Sequence, residues 1–316
     1  MATLAEQAVD ALQDISGHYP GYRAVHAKGI LCKGTFTASP EAAGLTRAVH
    51  MRGEPVGVTV RFSNASGDPT APDGRQDARG MATKFYLPDG SRTDIVAVTL
   101  PCFVVRTPED FVKFTRARKP SPRTGKPSVW KLGLYVATHS ESRPAVQAAR
   151  SMKPVLSYAT CRYNGLHAFR WIGSDGDGRY VRYSWLPDAG EVSISPDEAK
   201  QREADYLQSE LGERLSREPV RFRLQVQLAA PGDPLDDPTA AWPEERETVV
   251  AGTLELTELE TGRETPNDIL VFDPTRVTDG IELSDDPILR FRSHAYSVSV
   301  ERRSGVPRPP ELDAPQ

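Results

Sequence analysis

Hydrophobic and polar positions along the chain fall into two periods. Residues 57–63 alternate strictly, with Val58, Val60 and Phe62 on one face and Thr59, Arg61 and Ser63 on the other; residues 220–228 do the same. Both read as strands with one apolar face, and the second suits a barrel wall. Further strands are expected over residues 29–37, 80–87 and 94–100, joined by short turns such as Pro88-Asp89-Gly90 into an antiparallel meander. Later in the chain, residues 157–171 and 179–186 flank a Gly176-Asp177-Gly178 hairpin, and residues 252–256 read as a last strand.

Helical spacing appears elsewhere. Leu4, Ala8 and Leu12 predict a helix over residues 3–13 that ends before Gly17. Thr107-Pro108-Glu109-Asp110 is a helix start, with a capping threonine, proline at the first helical position and acids that complement the dipole. That helix turns Phe111, Val112 and Phe114 inward. Other helices are expected over residues 130–138, 144–152, 195–217 and 286–296, the last setting Arg292 and Tyr296 four apart on one face. The fold class is therefore α+β, an antiparallel barrel with surrounding helices. Residues 1–304 form one domain, and 305–316 a Pro-rich disordered tail.

Composition narrows the setting more than the chemistry. The 316 residues are 38% hydrophobic and 26% charged, ordinary for a globular protein, and 27 prolines beside 24 glycines indicate many loops. A net charge of -4, with both signs interspersed, gives no reason to expect nucleic acid or an anionic membrane as partner. Acidic residues stand where a signal peptide needs a basic region, and no apolar run has membrane-spanning length. Cys32, Cys102 and Cys161 are odd in number and irregularly spaced, which indicates neither a disulfide framework nor a zinc site and fits a reducing cytoplasm.

One stretch carries unusual chemistry. Tyr22-Arg-Ala-Val-His26-Ala-Lys-Gly29 puts a histidine among small and aliphatic neighbours just before a strand. Desolvation there keeps an imidazole neutral and able to accept a proton. On these residues alone His26 is either a satisfied structural histidine or an acid/base.

The surrounding motifs resemble those of haem catalases. Arg23-Ala-Val-His26, Val60-Arg-Phe-Ser63, Asp77-Ala-Arg-Gly80 to Tyr86 and Asp94-Ile-Val96 are similar to the distal half of that family. Tyr163-Asn-Gly-Leu-His167, Asp237 to Pro243, Phe272-Asp-Pro274 and Arg292-Ser-His-Ala-Tyr296 follow in the family's order, so the resemblance spans roughly residues 20 to 305. The chain is short for a full catalase and lacks most of the C-terminal helical region. Its closer resemblance is to the small catalase-related haem peroxidases.

The resemblance implies haem b (iron protoporphyrin IX) with Tyr296 as the iron ligand. It makes Arg292 the cation that favours the Tyr296 phenolate, with His167 and Asp286 orienting that arginine. It assigns distal acid/base work to His26, a ring-fixing role to Ser63, and a place on the haem face to Val25. Arg23, Arg61 and Arg303 correspond to partners of the haem propionates, and Phe103 and Phe111 to aromatics of the distal channel.

One departure bears on the reaction. Val98 stands where a true catalase carries an asparagine, and valine cannot hydrogen-bond a second peroxide. Thr99 is expected to point to the other face of the strand. The implied activity is a cytoplasmic peroxidase that reduces hydrogen peroxide or organic hydroperoxides with a second donor. Alternatives are a hydroperoxide-rearranging or biosynthetic haem oxidase, residual dismutation, and haem binding without turnover. The donor, a homo-oligomeric state and NADPH binding are left open; no Gly-rich dinucleotide motif occurs.

Overall fold

The computed structural model describes residues 2–121, 123–125, 127–262 and 269–306. Among the described residues ten strands run β1 (Gly29–Ala38), β2 (Val56–Asn64), β3 (Arg79–Tyr86), β4 (Arg92–Val98), β5 (Tyr163–Asn164), β6 (Phe169–Ile172), β7 (Gly178–Pro187), β8 (Val220–Leu228), β9 (Thr248–Leu259) and β10 (Ile281–Leu283). Every pairing is antiparallel. The ladder β1-β2-β3-β4-β5-β7-β8-β9 returns to β1 and closes a barrel, so none of these strands is left as an edge. β6 and β10 extend from one end of β7.

The closure explains why the period-two pattern is so clean. Val58, Val60 and Phe62 of β2 point into the barrel beside Phe36, Phe85, Tyr163 and Phe222. Each such fully buried large side chain contributes about 1.5–3 kcal/mol from apolar burial. Thr59, Arg61 and Ser63 alternate with them as expected, yet they are buried too. The reason is a second layer outside the sheet.

That layer is helical. The helices are α1 (Leu4–Ser16), α2 (Pro40–Ala43), α3 (Pro108–Ala117), α4 (Val129–Thr138), α5 (Arg143–Ser151), α6 (Pro196–Gln201), α7 (Tyr206–Leu215) and α8 (Pro287–Ser304). A Thr3/Glu6 capping box starts α1, and Gly17, at φ +96°, ends it. Its Ala5, Ala8 and Val9 pack on Val112 of α3 and on Phe291 and Val298 of α8. These three helices roof the outer faces of β2, β3 and β4.

The expected elements differ from this at four places. Residues 157–171 do not form one strand: Ser157 caps a 3-10 turn over Tyr158–Thr160, and Leu166 at φ +24° separates β5 from β6. The helix expected over 195–217 is two, α6 and α7, because the backbone turns extended at Arg202. β4 stops at Val98, where Thr99 leaves the ladder to bond Arg79, and β10 follows the strand expected to be last. The C-terminal tail lies outside the described residues from 307 onward.

Candidate functional site

Between the helical roof and the barrel wall lies a cavity of about 390 Å³. It is lined by α1, the loop from Arg23 to His26, the outer faces of β2 to β4, α3 and α8. His26, Ser63, Val98, Arg23, Val25, Arg61, Phe103, Phe111, Arg292, Arg303 and Tyr296 all line it. Two of the expected site residues, His167 and Asp286, do not; they stand behind Arg292.

His26 belongs to the barrel side. Its backbone sits at φ +56°, a left-handed conformation unusual for a residue with a side chain. The conformation is held from several directions: Ala65 accepts from the His26 amide, and Arg61 donates to the carbonyls of His26 (2.9 Å) and Ala27 (3.2 Å). The ring is fixed by a 2.9 Å hydrogen bond between Nδ1 and Ser63 Oγ. With Nδ1–H donating to the hydroxyl, Nε2 keeps its lone pair and can accept a proton. Burial, and then the guanidiniums of Arg61, Arg292, Arg23 and Arg79, lower the His26 pKa to about 3. The imidazole is therefore neutral throughout the physiological range.

Tyr296 belongs to the helix side and ends a bonded series. Asp286 caps α8 by accepting from the amides of Ile288 (2.8 Å) and Leu289 (3.2 Å) through one oxygen, and holds His167 Nδ1 at 2.6 Å through the other. Arg292 Nη1 lies 3.1 Å from His167 Nε2. Because a guanidinium only donates, Nε2 accepts, and the proton of a neutral His167 is on Nδ1, where it donates to Asp286. Burial lowers the His167 pKa against the raising effect of Asp286. Arg292 then donates to Tyr296 Oη from both Nε (2.9 Å) and Nη2. The arrangement supports negative charge on the phenol oxygen.

The remaining lining divides by polarity. Arg23 and Arg303 both donate to the carbonyl of Leu270, at 2.8 and 3.2 Å, which brings two guanidiniums to one margin of the cavity. Phe103 and Phe111 stack with centroids 6.0 Å apart. Val98 faces the cavity beside Leu100 and Cys102, and Thr99 is turned away, its hydroxyl accepting from the Arg79 amide. Among the described lining residues Asn164 carries the one amide side chain; it donates to Leu100 O (3.1 Å) and bonds Ser184 (3.1 Å).

Sequence reasoning passed over the glycines that make room. A Cβ on Gly80 would lie 2.8 Å from Ser63 Oγ and 2.9 Å from the His26 ring, so only glycine lets that pair close against β3. A Cβ on Gly29 would meet the Arg61 guanidinium at 2.7 Å. An isolated glycine at a strand start was the signal available.

Comparison with known proteins bears on the family of the chain. A family model described as Catalase matches residues 7–308. A catalase-related peroxidase of Mycolicibacterium paratuberculosis is 46% identical over 304 residues, 96% of this chain and 96% of its own. A catalase-related peroxidase of Synechococcus elongatus is 34% identical over 95% of this chain and 88% of its own. The crystal structure of a fungal catalase superposes with a TM-score of 0.81 over 92% of this chain and 61% of its own, at 23% identity, which is a likeness of fold alone. With the matched region running from residue 7 to residue 308 and so through both sides of the cavity, the chain belongs to the catalase family.

Proposed function

We propose that the chain is a haem b peroxidase that reduces hydrogen peroxide or organic hydroperoxides at the expense of a second donor. The observation that carries this reading is that one cavity holds a neutral imidazole on its barrel side and an arginine-bonded phenol on its helix side. The residues fit a haem. An apolar interior of Val25, Val98, Leu100, Phe103 and Phe111 suits a macrocycle, Tyr296 Oη suits ferric iron, and Arg23, Arg61 and Arg303 suit its carboxylates.

Bound there, the haem supplies the redox equivalents for cleaving an O–O bond. The chain's own part is proton handling and exclusion. His26 Nε2 takes the proton from the near oxygen of the peroxide and returns it to the far one, so that water or an alcohol leaves. Ser63 keeps the ring turned for both transfers. Arg292 donates two hydrogen bonds to Tyr296 Oη, and the apolar wall around Val98 gives a second hydrogen peroxide no hydrogen bond. Asn164 is committed in part to the protein, giving one of its two N–H groups to Leu100 O while its oxygen accepts from Ser184 and Arg162. The names of the two peroxidase relatives support the same preference for peroxidation over dismutation.

This reading takes residues 1–304 as one haem domain in the cytoplasm, where the three buried, free cysteines suit a reducing setting. Among the described residues no helix is long and apolar enough to cross a membrane. The decisive experiment is an absorption spectrum of the haem-loaded protein with parallel dye-oxidation and oxygen-evolution assays. A tyrosinate-type ferric spectrum with rapid dye oxidation and little oxygen is expected. Vigorous oxygen release would overturn the reading of Val98, and failure to take up haem would overturn the whole. The apolar wall also favours a second reading, rearrangement of a fatty-acid hydroperoxide, which product analysis without a donor separates.

A further inference from the structure

The surface of α4 is at odds with the rest of the molecule. Its inner side is anchored: Tyr135 sets its ring against Phe114 with centroids 5.4 Å apart and donates to the Asp110 carbonyl, and Phe114 in turn lines the cavity. Its outer side is apolar and bare, with Val129 79%, Trp130 89% and Leu134 69% exposed. Trp130 and Leu134 are four apart, so they stand on one stripe. Exposed apolar groups grouped in this way mark a contact surface.

Charge decides the occupant. The whole-chain balance of -4 argued against an anionic membrane, but that balance is not evenly spread. Between Asp110 and Glu141 there is no acidic residue; Arg116 and Lys119 in that stretch turn to Gln7 and Asp14 of α1, while Arg118, Arg123 and Lys131 are exposed. A second copy docked here across a two-fold axis would set this cationic segment against itself. An anionic bilayer instead attracts the cations and takes up Trp130 and Leu134 at the depth where tryptophan is favoured. We propose that the outer face of α4, with the exposed Arg123 and Lys131 beside it in the chain, docks the protein on anionic lipid surfaces, lying on the bilayer without crossing it.

The test uses the full chain and its own fluorescence. Of the four tryptophans, Trp171, Trp185 and Trp242 are buried, so an emission change on adding vesicles reports Trp130. Vesicles of phosphatidylcholine with about 30% phosphatidylglycerol should shift the emission to the blue and co-sediment the protein, with affinity at least about tenfold above that for phosphatidylcholine alone and reduced by salt. Leu134→Glu, at an exposed site that disturbs no packing, should abolish both effects while leaving peroxide turnover in solution unchanged. No shift and no co-sedimentation, equal binding to neutral vesicles, or unaltered binding by Leu134→Glu would each overturn the proposal. So would a dimer that Leu134→Glu dissociates together with absence of vesicle binding, since the face would then serve a second copy.

Discussion

On the barrel side of the cavity, His26 is held by one side-chain hydrogen bond, 2.9 Å to Ser63, and by a left-handed backbone tied to Ala65 and Arg61. On the helix side, Tyr296 ends a run of four groups in which each is bonded to the next, from Asp286 through His167 and Arg292. The difference fits what the proposed reading asks of each group. A base that gains and loses a proton must have one nitrogen unbonded and a neighbourhood that changes little on protonation. A phenol proposed to face iron needs one orientation, so its supports are consecutive, with Asp286 and His167 buried and Arg292 bringing the positive charge to the oxygen. The first side is therefore defined by space, the second by charge.

The largest effect should come from the end of the charged series. Tyr296→Phe removes one oxygen and leaves the ring packing intact, so the protein should fold, while the haem-loaded protein loses its tyrosinate spectrum and turnover falls more than about 10³-fold. A spectrum unchanged by the substitution would show that another residue faces the iron. His26→Ala should come next, with peroxide turnover lower by about 10²–10⁴-fold and the spectrum nearly unaltered. If both variants changed the spectrum alike, the division of labour between the two sides would be wrong.

Space on one side and charge on the other predict different responses to small edits. Gly80→Ala adds one methyl group 2.9 Å from the His26 ring, and displacing the base by a fraction of an ångström should cost about 10–100-fold in turnover without touching the spectrum. Asp286→Asn keeps an oxygen to cap α8 but removes the charge that holds the His167 proton on Nδ1. His167 can then no longer be relied on to accept from Arg292, and a loss of about 10–100-fold in kcat is expected with KM unchanged and a shifted tyrosinate band. A fall in KM alone, or no band shift, would reduce Asp286 to a helix cap.

The sequence and the structure meet unevenly, and the same distinction explains where. Strict alternation announced β2 and β8 because a barrel wall repeats one environment along each strand, and Thr107 announced α3 because a cap is a local hydrogen bond; the cap that Asp286 gives α8 emerged only in the structure. The charged series was legible through motif resemblance, since Arg292 and Tyr296 share one helix face. On the steric side His26 and Ser63 were legible in the same way, but the space that holds them was not. Gly80, the left-handed turn at His26 and the closure of the barrel through the two residues of β5 depend on what lies across space, which no local pattern states. The break between α6 and α7 likewise has no proline or glycine to announce it.

The smallest effect is in pH, and it separates the two demands on His26. Its pKa is about 3 in the folded protein against 6.5 for an unperturbed histidine. Below pH 6.5 the unfolded chain binds a proton that the folded chain refuses, so His26 subtracts stability as pH falls, by at most about 1.4 kcal/mol per unit, until the folded group protonates near pH 3. His50, lowered to about 4, and His167, also lowered, act in the same direction. Chemical denaturation of wild type and His26→Ala between pH 7 and 4 isolates the His26 share, and the variant should lose less stability on acidification. Over the same range the base stays neutral, so peroxide turnover should hold level while stability falls. A turnover curve that drops with a midpoint near 6.5 would mean that the imidazole is not shielded by its cavity and that space alone does not define that side of the site.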